Sequence, residues 1–190
     1  MSRPRILGGS AKGMPLDTPR RGTRPSPSRL REALFDALQF RARGPFLDLF
    51  AGSGAIGLEA ASRGFPATLV ELDRDAAAVL RRNARRLRLD AEIVEGDAVR
   101  TARARAGRYD VVFAAPPYPL DLASIFAEVL RAGPARPGGL YVFQHPTALD
   151  LAAALRAELR AAGTPDEAVS VRRYGSNALT RIATAAASDG

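Results

Sequence analysis

Phe46-Leu47-Asp48-Leu49-Phe50-Ala51-Gly52-Ser53-Gly54-Ala55-Ile56-Gly57 decides the fold of this 190-residue chain. Phe46 to Phe50 is apolar apart from Asp48, as suits a central parallel strand covered on both faces. Gly52 and Gly54 permit a sharp turn and bring a ligand close to the main chain. Leu58, Ala60 and Ala61 continue as a helix packed on the sheet. A strand, a glycine turn and a helix N-terminus form a nucleotide-type pocket in many α/β proteins.

The glycines alone are ambiguous, because Gly52-Ser53-Gly54-Ala55-Ile56-Gly57 also fits the dinucleotide pattern GxGxxG and hence a nicotinamide-dependent oxidoreductase. Asp48 tilts the reading. A carboxylate just before the turn is poorly placed beside a pyrophosphate. It suits a ligand carrying an ammonium group, such as the methionine end of S-adenosylmethionine. The plainer alternative is that Asp48 only accepts hydrogen bonds from loop amides, since a buried carboxylate needs some partner.

Working outward, the net charge of +8 is unevenly spread. Seven arginines and Lys12 lie between Met1 and Arg31, opposed only by Asp17, so that segment carries +7 and the remainder +1. A basic arm on a near-neutral body points to a polyanion, most plausibly nucleic acid. The chain has no cysteine and one histidine, which excludes a disulfide framework and a multi-histidine metal site. It has no apolar run long enough for a bilayer, and its N-terminus lacks the apolar core of a signal peptide. A cytoplasmic protein of one domain is expected.

Met1 to Pro25 reads as a basic arm or small hairpin, with Ile6-Leu7 and Met14 to Leu16 pairing across Gly8-Gly9. Ser26 is a fair N-cap, with Pro27 at the first helical position. Leu30, Ala33, Leu34, Ala37 and Leu38 form an apolar stripe, leaving Arg29 and Arg31 to face a ligand or solvent. Ala67 to Glu71 is a second strand ending in an acid. Glu71 lies close to the ~20-residue spacing expected of a ribose-binding acid. Asp73 starts the next helix. A third strand, Ala91 to Glu95, leads to Gly96-Asp97-Ala98, where Asp97 is a turn residue or an acceptor for an adenine amino group. Tyr109 to Phe113 is a buried strand running into Ala114-Ala115-Pro116-Pro117-Tyr118, a rigid turn at the strand edge where open α/β sheets bind ligands. The Pro116 carbonyl is free there to accept from a ligand amine.

Asp121 to Arg131 reads as a helix, Pro137-Gly138-Gly139 as a turn, and Leu140 to Gln144 as a strand followed by His145, a packing residue. Ala148 to Ala162 reads as one helix. Ala168 to Val171 and Ala178 to Ile182 read as a closing antiparallel pair. The expected divisions are an arm over 1–25, one domain over 26–183 and a disordered tail over 184–190.

Taken together, Arg5-Ile6-Leu7-Gly8-Gly9, Thr23-Arg24-Pro25, Arg29-Leu30-Arg31-Glu32-Ala33-Leu34-Phe35 and Leu47 to Gly54 resemble one family. So do Val70-Glu71-Leu72-Asp73, Pro116-Pro117-Tyr118 and Arg173-Tyr174-Gly175. It is the bacterial RsmD-type 16S ribosomal RNA guanine-N2 methyltransferase family, matched in order from Arg5 to about Ile182. The resemblance implies an α/β class I methyltransferase fold: a Rossmann-like, mostly parallel seven-stranded sheet with helices on both faces, plus the short basic N-terminal hairpin. It implies S-adenosylmethionine as donor, S-adenosylhomocysteine as product, no metal, and the small ribosomal subunit as partner of a monomer. The acceptor implied is a guanosine of the guanine(966)-N2 type.

Carried onto this chain, the resemblance assigns cofactor binding to Asp48, Phe50, Ala51, Gly52, Ser53, Gly54, Glu71, Leu72, Asp97 and Ala98. It assigns the target-base pocket to Ala115, Pro116, Pro117 and Tyr118, and RNA phosphates to Arg3, Arg5, Lys12, Arg24, Arg29 and Arg31. One position departs from the family: Ala115 stands where Asp or Asn precedes Pro-Pro-Tyr. Alanine has no acceptor, which motivates an alternative reading as a non-catalytic RNA-binding protein on the same frame.

Overall fold

The computed structural model describes residues 3–19, 26–117 and 120–186. The chain divides into two compact units, Met1–Ala98 and Val99–Gly190. The first holds strands β1 (Phe46–Asp48), β2 (Ala67–Glu71) and β3 (Ala91–Glu95) with helices α1 (Ser28–Leu38), α2 (Gly57–Ser62) and α3 (Arg74–Leu87). Helix α4 (Ala98–Ala104) begins at the boundary, and the second unit continues with β4 (Tyr109–Ala114), α5 (Leu122–Ala132), β5 (Ala135–Pro146), α6 (Leu151–Ala154), α7 (Arg156–Ala161), β6 (Val169–Tyr174) and β7 (Asn177–Ala183). The seven strands form one sheet in the order β3-β2-β1-β4-β5-β7-β6. It is the mostly parallel sheet of a class I methyltransferase, closed by an antiparallel hairpin.

In the first unit β1 pairs with β2 and β2 with β3, both in parallel. β1 is buried at all three residues, the apolar Phe46 and Leu47 and the acid Asp48 alike. Asp73 caps α3 by accepting from the Ala76 amide, and Arg88 ends that helix in the left-handed conformation. The arm folds as the expected hairpin. Arg5 bridges Pro15, and the Ile6 and Leu16 amides donate to the Met14 and Pro4 carbonyls. Ile6, Ala11 and Leu16 are buried in one apolar cluster with Ala51, Ala55, Leu58, Leu69 and Leu80. Its inner face is therefore core, whereas Arg3, Arg5 and Lys12 are exposed.

Helix α1 corrects the expected stripe. Its buried face is Leu30, Arg31, Leu34, Phe35 and Leu38, and Ala37 is exposed. Phe35 offers far more apolar surface than Ala33 or Ala37, so the helix turns to bury it, and Arg31, one turn earlier, is carried inward. The N-cap is Pro27 rather than Ser26, and the Pro27 carbonyl receives the Leu30 and Arg31 amides.

In the second unit β4 runs parallel to β5, and β7 runs antiparallel to both β5 and β6. The Pro137-Gly138-Gly139 turn is an irregularity inside β5: Tyr109 pairs with Ala135 but Val111 with Leu140. The single helix expected over Ala148 to Ala162 is two short ones. Asp150 caps α6 through the Ala153 amide, and Leu155 interrupts the helix while the apolar side chains of Leu151, Leu155 and Leu159 stay buried. β7 ends at Ala183, and just beyond it the Thr184 amide donates to the Gly139 carbonyl and the Gly138 amide to the Ala185 carbonyl. Residues 187–190 lie outside the described residues. Among the described residues no helix is long and apolar enough to cross a membrane.

Candidate functional site

The glycines of the loop after β1 have separable jobs. Gly52 and Gly54 both have positive φ, +54° and +90°. A Cβ at Gly54 would lie 2.5 Å from Leu80 Cδ1, whereas one at Gly52 would meet nothing within 4 Å. Gly54 thus serves packing as well as backbone shape, and Gly52 keeps its side of the loop open. At Gly57 a Cβ would lie 2.4 Å from Leu69 Cγ, so this glycine sets how closely α2 approaches β2. These are the three demands that a ligand-cradling turn between strand and helix makes of its glycines.

Two carboxylates hold that loop. Asp48, 1% exposed, accepts from the Gly57 amide through Oδ2 at 2.9 Å, while Oδ1 has no hydrogen-bond partner. One oxygen therefore braces the loop, and the other has no partner. Burial pushes its pKa up to about 7, against the pull of the Gly57 and Phe50 amides, and the charge of Glu71 adds to the rise. Glu71 accepts from the Gly52 amide at 2.7 Å and the Asp73 amide at 2.8 Å, one per oxygen. Each oxygen retains a further acceptor direction for a hydroxyl. Leu72 beside it is 71% exposed, an apolar surface standing in solvent where a flat ring could lie. Phe50 is half-buried, Ala51 and Ser53 are buried, Asp97 is exposed and Ala98 is buried.

In the second unit, β4 delivers Ala115, Pro116 and Pro117 directly after its buried run. Tyr118 lies outside the described residues. Asp121, an acid close in sequence to Ala115, is the N-cap of α5: it accepts from the Ser124 amide at 3.2 Å and the Ser124 hydroxyl at 2.7 Å. Those bonds hold its pKa below the ordinary value. His145 is a packing residue within β5. It is 1% exposed, with its ring nitrogens on Thr180 Oγ1 and the Pro146 carbonyl, and burial lowers its pKa.

Of the expected phosphate ligands, Arg3, Arg5, Lys12 and Arg29 are exposed, and Arg24 lies outside the described residues. Arg3 also meets Asp17 in an exposed pair at 3.3 Å, of a kind that contributes little. Arg31 does not belong with them. It is 3% exposed, donates to the Arg5 carbonyl at 2.9 Å and faces Glu59 at 3.8 Å. Burial lowers its pKa, with Glu59 and Glu32 opposing. It is a structural cation.

Three polar residues of the site went unread in the sequence. Glu59 is fully buried, accepts from the Leu7 amide at 2.6 Å and pairs with Arg63 at 2.8 Å. Ser62 receives the Ala11 amide and donates to the Gly8 carbonyl. Asn83, also fully buried, accepts from the Asp17 amide and donates to the Asp17 and Ser53 carbonyls. A signal existed for Asn83: it sits at apolar spacing from Val79, Leu80 and Leu87.

The family model described as conserved hypothetical protein 95 matches residues 4–163. A ribosomal RNA small subunit methyltransferase D of Escherichia coli K12 is 39% identical over 118 residues, covering 60% of this chain and 60% of that protein. The match thus spans less than two thirds of the curated relative. A hypothetical protein of Thermus thermophilus superposes with a TM-score of 0.80 at 46% identity, covering 94% of this chain and 98% of that one. The 16S rRNA N2 G1207 methyltransferase (RsmC) of Thermus thermophilus, solved with AdoMet and guanosine, superposes with a TM-score of 0.71 at 22% identity. That superposition covers 96% of this chain and 50% of the other, and shows the fold alone.

Proposed function

The chain belongs to the RsmD-like methyltransferase family, and from that membership we propose an S-adenosylmethionine-dependent enzyme that methylates the exocyclic N2 of a 16S rRNA guanosine. The acceptor is of the guanine(966) type, presented on the small ribosomal subunit to a cytoplasmic monomer. The observation that carries this reading is the loop after β1: an open Gly52, a close-packed Gly54 and a buried Asp48 with one unpartnered oxygen.

These residues fit the donor. An ammonium group matches the orphaned Asp48 Oδ1, ribose hydroxyls match the remaining acceptor directions of Glu71, and Leu72 offers an apolar face to adenine. Asp97 would take the adenine amino group, with the Phe50 to Gly54 and Ala98 backbone lining the rest. When bound, S-adenosylmethionine supplies a methyl group already activated by a positive sulfur. The protein's contribution is then positioning. The guanine amine is a weak nucleophile because its lone pair is spread into the ring. The Pro116 carbonyl accepts one of its hydrogens and so turns the lone pair outward. Tyr118 stacks on the extruded base. Arg3, Arg5, Lys12, Arg24 and Arg29 neutralise phosphates.

Ala115 supplies no second acceptor, and Asp121 is engaged with Ser124. That pair of facts favours a second reading, a binder of cofactor and RNA without turnover. One assay decides between the two: small-subunit particles lacking the mark, labelled S-adenosylmethionine, and nucleoside analysis of the product. N2-methylguanosine formation by the unaltered chain supports the enzyme. Binding of S-adenosylhomocysteine and particles without transfer supports the second reading, and methylation of another nucleobase only rejects the assigned chemistry.

A further inference from the structure

The basic hairpin and the glycine loop share supports. Helix α2 receives the hairpin along its length: the Leu7 amide goes to Glu59, the Ser10 amide to the Ser62 carbonyl at 2.8 Å and the Ala11 amide to Ser62 Oγ at 2.9 Å. Gly9 lies so close that a Cβ there would stand 1.9 Å from the Ser62 carbonyl oxygen. The same helix begins at Gly57, the residue that Asp48 holds. Asn83 makes the second link. Its amide nitrogen donates to Asp17, at the end of the hairpin, at 2.9 Å and to Ser53, in the glycine loop, at 3.0 Å, while its oxygen takes the Asp17 amide at 3.0 Å. Three bonds from one fully buried side chain thus span residues 30 and 66 positions away in sequence. The outer face of the same hairpin carries Arg3, Arg5 and Lys12 in solvent.

We propose that Asn83 is a positioning residue through which RNA held by the hairpin strengthens cofactor binding at the Gly52–Gly54 loop. The inference rests on the function proposed above. Because one Asn83 side chain is bonded to both segments, a ligand that fixes the position of one segment also fixes the bonding partner of the other, and the coupling is reciprocal. Asn83 touches neither ligand in this scheme.

The test measures S-adenosylhomocysteine affinity by equilibrium dialysis, with and without saturating small-subunit particles that lack the mark. Wild-type protein is expected to bind at least about fivefold more tightly with particles present, the lower end of usual couplings. Asn83→Ala should bind the particles and still bind S-adenosylhomocysteine, with that ratio near one. Should Asn83→Ala fail to fold, Asn83→Asp keeps the acceptor for the Asp17 amide while losing both donated bonds, and the same ratio is read. A wild-type ratio retained by a folded variant overturns the proposal, as does a ratio of one in the wild type. Failure of wild-type protein to bind S-adenosylhomocysteine at all defeats the proposed function instead.

Discussion

The loops after β1 and β4 are built by opposite means. Phe50 to Gly54 is shaped by glycines and then tied down by side chains from elsewhere in its unit: Asp48 on Gly57, Glu71 on Gly52, Asn83 on Ser53. Ala115 to Pro117 needs no such ties, because two prolines fix their own φ and offer no amide to satisfy. The first is a loop held by a buried polar frame, and the second is held by covalent rings. A frame transmits changes made at a distance, whereas a ring does not. Substitutions in the frame should therefore cost stability and substitutions beside the prolines should cost rate.

The strongest way to break the comparison is Glu59→Ala. It leaves the buried Arg31 charge without the carboxylate it pairs with, which costs about 3–5 kcal/mol, and removes the acceptor of the Leu7 amide, which costs about 1–3 kcal/mol more. Urea unfolding should show a loss of that order in the midpoint-derived free energy. A loss below about 1 kcal/mol, the range of surface pairs, would mean the frame carries no strain of charge and the contrast between the loops is false.

Asp48 gives the next largest effect, and it has a sign. Its folded pKa of about 7 stands above the ordinary 3.8, so the folded protein holds a proton that the unfolded chain has released between those values. Stability from this group is full below the unfolded pKa, falls as pH rises through the interval, and is lost above about 7. The span amounts to roughly 4 kcal/mol. Comparing wild type with Asp48→Asn isolates it: the wild type should lose that much relative to the variant between about pH 4 and 8. Cofactor affinity should move the opposite way, rising as Asp48 ionises, with no such rise in Asp48→Asn. Parallel pH profiles in the two proteins would remove Asp48 from the frame.

At the proline turn the expected change is in rate. Ala115→Asp restores an acceptor worth about 1.5–3 kcal/mol, so single-turnover methyl transfer should rise roughly ten- to a hundredfold with little change in melting temperature. An unchanged rate would show that the Pro116 carbonyl suffices. A large shift in melting temperature would show that this turn, too, depends on its neighbours.

How much of this was legible follows the same division. The β1 loop was readable because glycines and a lone acid in an apolar strand have few other uses, and Pro116-Pro117 because prolines announce rigidity. Asp48 was read only as far as its two options, and the structure shows the loop-amide bond on one oxygen and no partner on the other. Arg31 was misread because helical periodicity ranks positions without weighing Phe35 against Ala33 and Ala37. Glu59, Ser62 and Asn83 escaped because each bonds a backbone group of a hairpin distant in sequence, and backbone groups carry no residue-specific signal. Polar residues at apolar helix positions are the trace such frames leave.

The smallest expected effect concerns the hairpin's outer face. Each cation that neutralises a phosphate lowers the slope of log affinity against log salt by about 0.7–0.9 when removed. Arg3→Ala with Lys12→Ala should flatten RNA binding by up to twice that, and Arg29→Ala by one such step. Arg31→Ala serves as the contrast, since its guanidinium is spent on Arg5 and Glu59. Its binding curve should keep the wild-type slope while its unfolding midpoint falls. A flattened slope in Arg31→Ala with stability intact would return that residue to the RNA surface. It would also mean that the hairpin opens when RNA binds, which a frame closed over Glu59 forbids.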